Sequence, residues 1–213
     1  MTEKKISLLI VDDHEIVRNG IRLMLESVPE IEVTGEAGTA KAAIELVRHQ
    51  KFDVALLDLG LPDKPGLELL KRILAEQPKM AILIFSMYEE SIYGVRAFKL
   101  GAAGFLSKNS DIQTIVHAIT KVASGGKFVS TTMSDRLAGI FCGEKNPQHD
   151  LLTNRELEVL CLLAKGEPLT AIATALNLSA STITTYRSRI LEKTGLKNNV
   201  QLARYAADNN LTF

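Results

Sequence analysis

Short apolar runs alternate with amphipathic segments along the first 125 residues of the chain. The apolar runs lie at 6–11, 54–57, 80–85 and 103–106, and a further short strand is predicted near 31–35. A run without polar alternation is typical of a strand that is buried on both faces, as in a parallel sheet. Between the runs, apolar residues recur at helical spacing over 14–27, 39–49, 66–76, 89–100 and 111–123. The alternation predicts an α/β domain built on a five-stranded, parallel, doubly wound sheet with helices on both faces.

The pattern becomes irregular after this first region. A short helix is predicted over 131–141, and residues 143–150 are polar and rich in turn formers. That composition is typical of a flexible linker. The sequence therefore predicts three segments, which are a domain over 1–125, a linker over 126–150 and a second domain over 151–213.

Four helices are predicted in the second domain. Thr153 and Glu156 are spaced as a capping box that starts the first helix. The other helices are predicted at 169–176, 179–194 and 200–207. Two short helices joined by a tight turn, the second rich in hydroxyl and basic side chains, are typical of a helix-turn-helix. The second domain is therefore predicted to be a small all-α helix-turn-helix domain.

Composition narrows the class of protein without naming a function. Apolar residues make up 46% of the chain and charged residues 23%, with a formal net charge of zero, so no global field indicates a membrane or nucleic-acid partner. The two cysteines lie far apart, which is consistent with a reducing cytosol. The four histidines show no metal-ligand spacing, and His149 is interpreted as a solvated linker residue. Because no stretch approaches the ~20 apolar residues of a membrane span, we expect a soluble, cytoplasmic protein.

Polar side chains follow several of the predicted strands at the points where the strands end. They are Asp12, Asp13, Asp58, Ser86 and Lys108. Since right-handed crossovers deliver the carboxyl ends of parallel strands to one edge of the sheet, we expect these side chains to converge there. Clustered carboxylates repel one another unless a cation sits among them, and oxygen ligands suit Mg²⁺. A carboxylate beside the metal can attack a phosphoryl group, while the ammonium and hydroxyl groups bind the transferred oxygens.

Each of these residues alone also fits an ordinary structural role. Asp58 fits a cap for the turn that follows its strand, and Asp12 and Asp13 fit a solvated loop or a helix cap. Lys108 alone is typical of a surface lysine, and Ser86 alone carries little information. The combination favours a shared site, because the groups end separate predicted strands.

The same residues carry a resemblance to a known family. The first 125 residues resemble the receiver domain of bacterial two-component response regulators, through Asp12-Asp13, the segment 58–62, Ser86 and Lys108. The resemblance implies a flavodoxin-like fold. It also implies that Asp58 is the phosphoacceptor, which takes a phosphoryl group from a sensor histidine kinase or phosphotransfer protein as an acyl phosphate.

The resemblance also assigns roles to the neighbours of the phosphoacceptor. It implies that Mg²⁺ is held by Asp12, Asp13, Asp58 and the backbone carbonyl of Gly60. Lys108 would pair with the phosphoryl oxygens, and Ser86 would move in to bond one of them. Phe105 falls at the aromatic switch position of the family. Asn109 departs from the family pattern, because many receivers have a proline after the lysine.

The third predicted helix of the second domain has the side chains that DNA contacts need. Between residues 179 and 204 there are five Lys or Arg and one acid. Ile183, Ile190 and Leu191 form its buried stripe. The predicted DNA-binding residues are Ser181, Thr182, Thr184, Thr185, Arg187, Ser188, Arg189 and Lys193. The alternative is that this basic face is merely solvated.

This second domain resembles the LuxR-type helix-turn-helix of the NarL/FixJ response regulators. The match runs over 152–160 and continues through Ile172-Ala173 and Thr182-Ile183. Ala171 and Thr184 stand where the family usually has glutamate and lysine. The resemblance implies binding of double-stranded promoter DNA and dimerisation through the fourth helix. The predicted dimer contacts are Val200, Ala203 and Ala206.

Together the two resemblances imply a transcriptional regulator switched by phosphorylation. Without phosphate, the receiver is expected to restrain the second domain. With phosphate on Asp58, a homodimer is expected to form and to bind sequence-specific DNA. The protein is not expected to turn over an external substrate, although it is expected to remove the phosphate from its own Asp58.

Two other classes of protein remain as alternatives. A phosphatase of the haloacid-dehalogenase type also uses a strand-end aspartate and Mg²⁺, but it needs a second acid two residues later, where Gly60 stands. A constitutive regulator would use its receiver only as a dimerisation module. Turnover of small phosphoesters would favour the phosphatase. DNA affinity that does not depend on phosphorylation would favour the constitutive regulator.

Overall fold

The structure is a computed structural model that describes residues 5–142, 148–209 and 211. The chain forms two compact units, residues 1–138 and residues 139–213. Apart from one helix that spans the boundary, each unit has its own secondary-structure elements.

A parallel sheet forms the centre of the first unit. Its strands are β1 (Ile6–Val11), β2 (Ile31–Ala37), β3 (Val54–Leu57), β4 (Ala81–Ser86) and β5 (Gly104–Ser107). Their order across the sheet is β2-β1-β3-β4-β5, and every pairing is parallel. The helices between and after the strands are α1 (Glu15–Leu25), α2 (Ala40–His49), α3 (Gly66–Glu76), α4 (Glu90–Lys99) and α5 (Ile112–Ala123). The structure confirms the predicted α/β fold class.

The uninterrupted apolar runs form the central strands of the sheet. All four residues of β3 are buried, as are five of the six residues of β4. Val11 pairs with Leu57, and Leu57 pairs with Ile84, so β1, β3 and β4 end side by side. Burial on both faces explains why these strands show no alternation of polar and apolar residues.

One side chain ties the loop after β3 to the start of α2. The carboxylate of Asp63 accepts hydrogen bonds from the backbone amides of Ala40 at 2.8 Å and Lys41 at 3.0 Å. Burial raises the pKa of Asp63, but these amide hydrogen bonds outweigh burial, and the pKa lies below its ordinary value. Asp63 therefore anchors the loop that follows β3 to the start of α2.

Two helical segments lie in the described part of the region between the domains. A helix, α6, runs from Thr131 to Phe141, over the range where a short helix is predicted. The boundary between the compact units lies within it, between Ala138 and Gly139. A short 3₁₀ helix follows at Gln148–Leu151, and it ends at the first residue of the predicted second domain. Residues 143–147 of the predicted linker lie outside the described residues.

The interpretation of His149 as a solvated residue is wrong. His149 is buried in the second unit, and its Nδ1 lies 3.0 Å from the hydroxyl of Tyr205. Its backbone amide donates to the same hydroxyl at 3.1 Å. Tyr205 is 56 residues away along the chain, so the residues around His149 give no sign of this contact.

The second unit is all-helical, as its sequence pattern predicts. Its helices are α7 (Asn154–Ala164), α8 (Leu169–Ala175), α9 (Ala180–Thr194) and α10 (Asn199–Asp208). The capping box of Thr153 and Glu156 is present at the start of α7. The turn between α8 and α9 passes through Asn177 at a φ of 52°, and Ser179 caps α9. This is the predicted helix-turn-helix, since α8 and α9 are joined by a four-residue turn.

No helix in residues 5–142, 148–209 or 211 has both the length and the apolar character that a bilayer crossing requires.

Candidate functional site

The parallel ladder brings three charged side chains to one edge of the sheet. The backbone amide of Asp58 donates to the carbonyl of Val11 at 2.9 Å, which places Asp58 beside the end of β1. The amide of Lys108 donates to the carbonyl of Ser86 at 3.0 Å. Each charged residue therefore follows its strand directly, and the sequence prediction that strand ends converge here agrees with the geometry.

Lys108 lies between two buried carboxylates. Its Nζ is 2.5 Å from Asp12 Oδ2 and 2.7 Å from Asp58 Oδ2. Burial lowers the pKa of the Lys108 ammonium group, but hydrogen bonds and charges from Asp12 and Asp58 outweigh burial and raise the pKa above its ordinary value. Lys108 is therefore a fixed positive charge at the site.

The other oxygen of Asp58 is also held by donors. Oδ1 accepts a hydrogen bond from the Ser86 hydroxyl at 2.7 Å and another from the Leu59 amide at 2.7 Å. Ser86 therefore already contacts the unmodified carboxylate, and its movement to bond a phosphoryl oxygen stays a prediction. Phe105, at the predicted switch position, is likewise already buried, with 4% of its surface exposed.

The acidic residues at this edge could hold a metal ion. Asp12, Asp13, His14 and Asp58 each offer a ligand atom, and these atoms all lie within 4.8 Å of one another. Three carboxylates face one lysine, so a divalent cation would offset the excess negative charge. The oxygen donors fit Mg²⁺ by ligand type. Gly60 borders the same carboxylate, since a Cβ at Gly60 would lie 3.6 Å from Asp58 Oδ2.

His14 was missed as a member of this cluster. Its Nδ1 lies 2.7 Å from Asp13 Oδ1 and 3.4 Å from Asp12 Oδ1. The spacing of the histidines along the chain predicts no ligand pair, and His14 is brought near Asp58 by the pairing of β1 with β3. Its position directly after two acids was the available signal.

Gly66 is a second residue of the site that sequence analysis missed. A Cβ on Gly66 would lie 2.5 Å from the carbonyl oxygen of Asp58 and 2.5 Å from Leu59 Cα. The amide of Gly66 also donates to the carbonyl of Leu59 at 3.1 Å. A glycine is therefore required where the start of α3 meets the backbone of Asp58.

Gly66→Ala is expected to lower the free energy of unfolding by about 1–3 kcal/mol, because the new methyl group forces the backbone apart. It should also reduce incorporation of phosphate from acetyl phosphate, because Asp58 is displaced. The matched control is Gly20→Ala on α1, where a Cβ meets nothing within 4 Å. Chemical denaturation and intact-mass spectrometry measure both effects, and wild-type behaviour of Gly66→Ala would contradict the assignment.

Helix α9 presents part of its predicted DNA-binding set to solvent. Ser181, Thr185 and Arg189 are exposed, and they line an open cleft of about 290 Å³ together with Thr182 and Tyr186. Among the described residues, Arg189 makes no hydrogen bond or ion pair. This guanidinium group is therefore available to an anionic partner.

Other hydroxyl groups on α9 are bonded within the helix. The hydroxyls of Thr184, Thr185 and Ser188 donate to backbone carbonyls four residues earlier, at 3.0 to 3.1 Å. Their oxygens can still accept hydrogen bonds, but donation to a phosphate requires each hydroxyl to rotate. Their assignment as DNA contacts stays a prediction.

Two of the basic residues on α9 have partners within the second unit. Lys193 Nζ lies 2.6 Å from Oε2 of Glu156, a buried carboxylate. Burial raises the pKa of Glu156, but Lys193 and the cap residue Thr153 outweigh burial and lower the pKa below its ordinary value. Arg187 Nε donates to Asn199 Oδ1 at 2.6 Å. Lys193 thus neutralises a buried acid, a role that its charge alone did not reveal.

The predicted dimer stripe on α10 needs one correction. Val200 is 79% exposed, whereas Ala206 is 0% exposed. Ala206 packs inside its own unit on the same side of α10 as Leu202, which is also fully buried. Ala206 therefore cannot contact a second copy across an exposed face, while Val200 and the half-buried Ala203 stay candidates.

Comparison with known proteins gives the same two-part organisation. The family model for the response regulator receiver domain matches residues 8–120, and the model for bacterial regulatory proteins of the luxR family matches residues 150–206. The response regulator GacA of Pseudomonas aeruginosa is 32% identical over 203 residues, which cover 94% of this chain and 95% of GacA. The response regulator UvrY of Escherichia coli is 32% identical over 208 residues, which cover 97% of this chain and 95% of UvrY.

A solved structure of similar fold includes DNA. RcsB from Salmonella enterica serovar Typhimurium, bound to the promoter rprA in the presence of the phosphomimetic BeF₃⁻, matches with a TM-score of 0.65 and 27% identity. The match covers 95% of this chain and 99% of the RcsB chain. The chain belongs to the NarL/FixJ family of two-component response regulators and has a receiver domain followed by a LuxR-type DNA-binding domain.

Proposed function

We propose that Asp58 accepts a phosphoryl group from a sensor histidine kinase or a phosphotransfer protein, and that this modification controls dimerisation and binding to promoter DNA. One observation carries the proposal. The carboxylate of Asp58 lies beside Asp12 at the carboxyl edge of the sheet and is held by Lys108 at 2.7 Å and by Ser86 at 2.7 Å.

The reaction needs one oxygen of Asp58 to attack the phosphorus atom of the donor. A new oxygen–phosphorus bond forms, the bond between phosphorus and the donor's leaving group breaks, and the leaving group departs with that electron pair. Lys108 and Ser86, which bond the free carboxylate, are positioned to donate to the transferred oxygens instead. When bound by Asp12, Asp13 and Asp58, Mg²⁺ would supply positive charge that offsets the negative charge of the transferred group.

The phosphorylated aspartate is a signalling state rather than an intermediate in turnover of an external substrate. Loss of phosphate then requires water to attack the acyl phosphate and to release inorganic phosphate and the free carboxylate. Gly60 stands where a phosphatase of the haloacid-dehalogenase type would place its general acid. A glycine supplies no general acid, which supports a phosphorylated state that is lost slowly. We also propose that the protein acts in the cytoplasm.

The exposed surface of α9 supports the output half of the proposal. Arg189 and its neighbours in the cleft supply a guanidinium group and hydroxyls, which suit phosphate and base-edge contacts in double-stranded DNA. A homodimer would present two such helices to paired half-sites. The exposed Val200 on α10 is available for the contact between copies.

The test compares DNA binding of the full chain before and after treatment with acetyl phosphate and Mg²⁺. Wild-type protein is expected to gain about tenfold in affinity for a promoter selected from genomic fragments, within the usual range of allosteric coupling. The Asp58→Asn variant should keep the fold and the basal affinity but gain nothing. An equal gain by Asp58→Asn, or no gain by the wild type, would overturn the proposal and favour a constitutive regulator.

A further inference from the structure

A methionine of α6 fills a notch on α4 that a glycine creates. Met133 is 2% exposed, and a Cβ built on Gly94 would collide with its Cε atom. Gly94 lies inside α4, where glycine costs about 1 kcal/mol relative to alanine. Within residues 131–138, which are all described, Met133 is the one buried side chain. We call this pair of residues the α4–α6 contact.

The start of α4 is linked to the phosphoacceptor by a short chain of contacts. Ser86 donates its hydroxyl hydrogen to Asp58 and accepts a hydrogen bond from the backbone amide of Tyr88 at 3.4 Å. The ring of Tyr88 packs against the ring of Tyr93, with ring centres 4.9 Å apart. Tyr93 is the direct neighbour of Gly94 in α4. These contacts connect Ser86 to the residue next to the notch.

Helix α6 is the element through which the chain passes from one unit to the other. Residues 131–138 belong to the first unit, and residues 139–141 belong to the second. Its start is fixed by Ser130, whose side-chain oxygen accepts from the amide of Met133 at 3.1 Å. The packing of Met133 against Gly94 is therefore a contact through which the first unit can hold α6 in place.

We propose that the α4–α6 contact is a restraint that phosphorylation of Asp58 releases. The inference rests on the proposed function, and it names the regulatory contact of that site. A phosphoryl group on Asp58 requires Ser86 to exchange its bond to the carboxylate for a bond to a phosphoryl oxygen. That exchange moves the Tyr88 amide that is bonded to Ser86, and with it the pair of tyrosine rings. The packing of Met133 against Gly94 then loosens.

The direct test measures hydrogen–deuterium exchange of the backbone amides of α6 in the full chain. Beryllium fluoride with Mg²⁺ is the phosphoryl mimic, and Asp58→Asn is the control that cannot bind it productively. In the wild type, exchange over 131–141 is expected to become about fivefold or more faster with the mimic, because the helix opens more often once released. Unchanged exchange in a protein that labels with acetyl phosphate and responds in DNA binding would overturn the restraint but leave the proposed function intact.

The functional test removes the contact without touching the phosphoacceptor. Met133→Ala leaves the notch empty, and is expected to raise DNA affinity of the unmodified protein about fivefold and to reduce the gain on phosphorylation by the same factor. Met133→Leu, which keeps most of the side-chain volume, should behave as the wild type. Met24→Ala is the matched control, since Met24 is 52% exposed on α1.

Incorporation of phosphate distinguishes a failure of the proposed restraint from a failure of the proposed function. Met133→Ala should incorporate phosphate as the wild type does, as intact-mass spectrometry measures. Wild-type basal affinity and a full phosphorylation response in Met133→Ala would overturn the restraint. Absence of labelling in the wild type would instead remove the proposed function on which the restraint rests.

Discussion

Lys108→Met is expected to lower the free energy of unfolding of the first unit by about 3–5 kcal/mol in Mg²⁺-free buffer, as for other broken buried ion pairs. The side chains of Lys108, Asp12 and Asp58 are 9%, 1% and 6% exposed, so water cannot replace the lost ammonium group. Methionine keeps the length of the side chain and removes the charge. Both carboxylates would then face each other and Asp13 without a cation.

The effect of Lys108→Met should depend on Mg²⁺ and on pH. We propose that Mg²⁺ binds the folded acidic site, so added Mg²⁺ is expected to restore part of the lost stability. The pKa of Lys108 is raised above its ordinary value of 10.5. Its stabilising contribution is therefore fully present at neutral pH, and it is lost as the pH rises through the folded-state pKa.

Asp13→Asn is the matched control for the sign of this effect. It removes one of the carboxylates that repel each other and leaves Lys108 in place, so stability without Mg²⁺ should rise slightly rather than fall. Urea denaturation of the three proteins with and without Mg²⁺ measures the difference. Equal stability of Lys108→Met and wild type in Mg²⁺-free buffer would contradict the role of Lys108 as the counter-charge of the site.

Arg189→Ala is expected to weaken DNA binding by about tenfold and to reduce the slope of log affinity against log salt concentration by about one. Arg189 is exposed on α9, lines the open cleft and makes no bond among the described residues. Its removal should therefore leave the fold unchanged and remove one contact to DNA. Fluorescence anisotropy with a bound promoter fragment over a salt series measures both quantities.

Lys193→Met provides the contrast on the same helix. Because Lys193 neutralises the buried Glu156 at 2.6 Å, this variant should lose about 1–3 kcal/mol of stability, with little change in the salt slope. A stability loss in Arg189→Ala, or a lower salt slope in Lys193→Met with normal stability, would exchange the roles that we assign to these two residues.

The sheet and its acidic edge could be predicted because their signals are local. Runs such as 54–57 show no alternation because both faces are buried, and the residue after each run must lie at the carboxyl edge. The position of Asp58 follows from those two facts alone, and Lys108 lies two residues beyond the run at 103–106. Their convergence needs only parallel strands, which the helical segments between the runs already imply.

The features that the sequence concealed depend on contacts between distant segments. His149 is buried by Tyr205, and Lys193 is paired with Glu156, 37 residues earlier. The residues next to His149 and Lys193 in the sequence leave open whether each side chain is solvated or paired, and they do not identify a partner. A glycine is required at position 66 because the backbone of Asp58 lies against it, and this contact exists only in the folded chain.

The error at Ala206 arose from helical geometry. Val200 and Ala206 are six residues apart, which places them about 120° apart around a helix of 3.6 residues per turn. Small residues at three-residue spacing therefore drift across the helix surface rather than follow one face. Leu202, four residues before Ala206, marks the buried side, and this i, i+4 relation was the better guide.

The most direct test of the central claim is to locate the phosphoryl group itself. Wild-type protein is treated with acetyl phosphate and Mg²⁺, the acyl phosphate is reduced with borohydride to homoserine, and the modified residue is mapped by mass spectrometry. We predict modification at residue 58, strongly reduced without Mg²⁺ and absent from Asp58→Asn. Modification at another residue, or none in the wild type, would contradict the claim that Asp58, flanked by Asp12 and Lys108, is the phosphoacceptor.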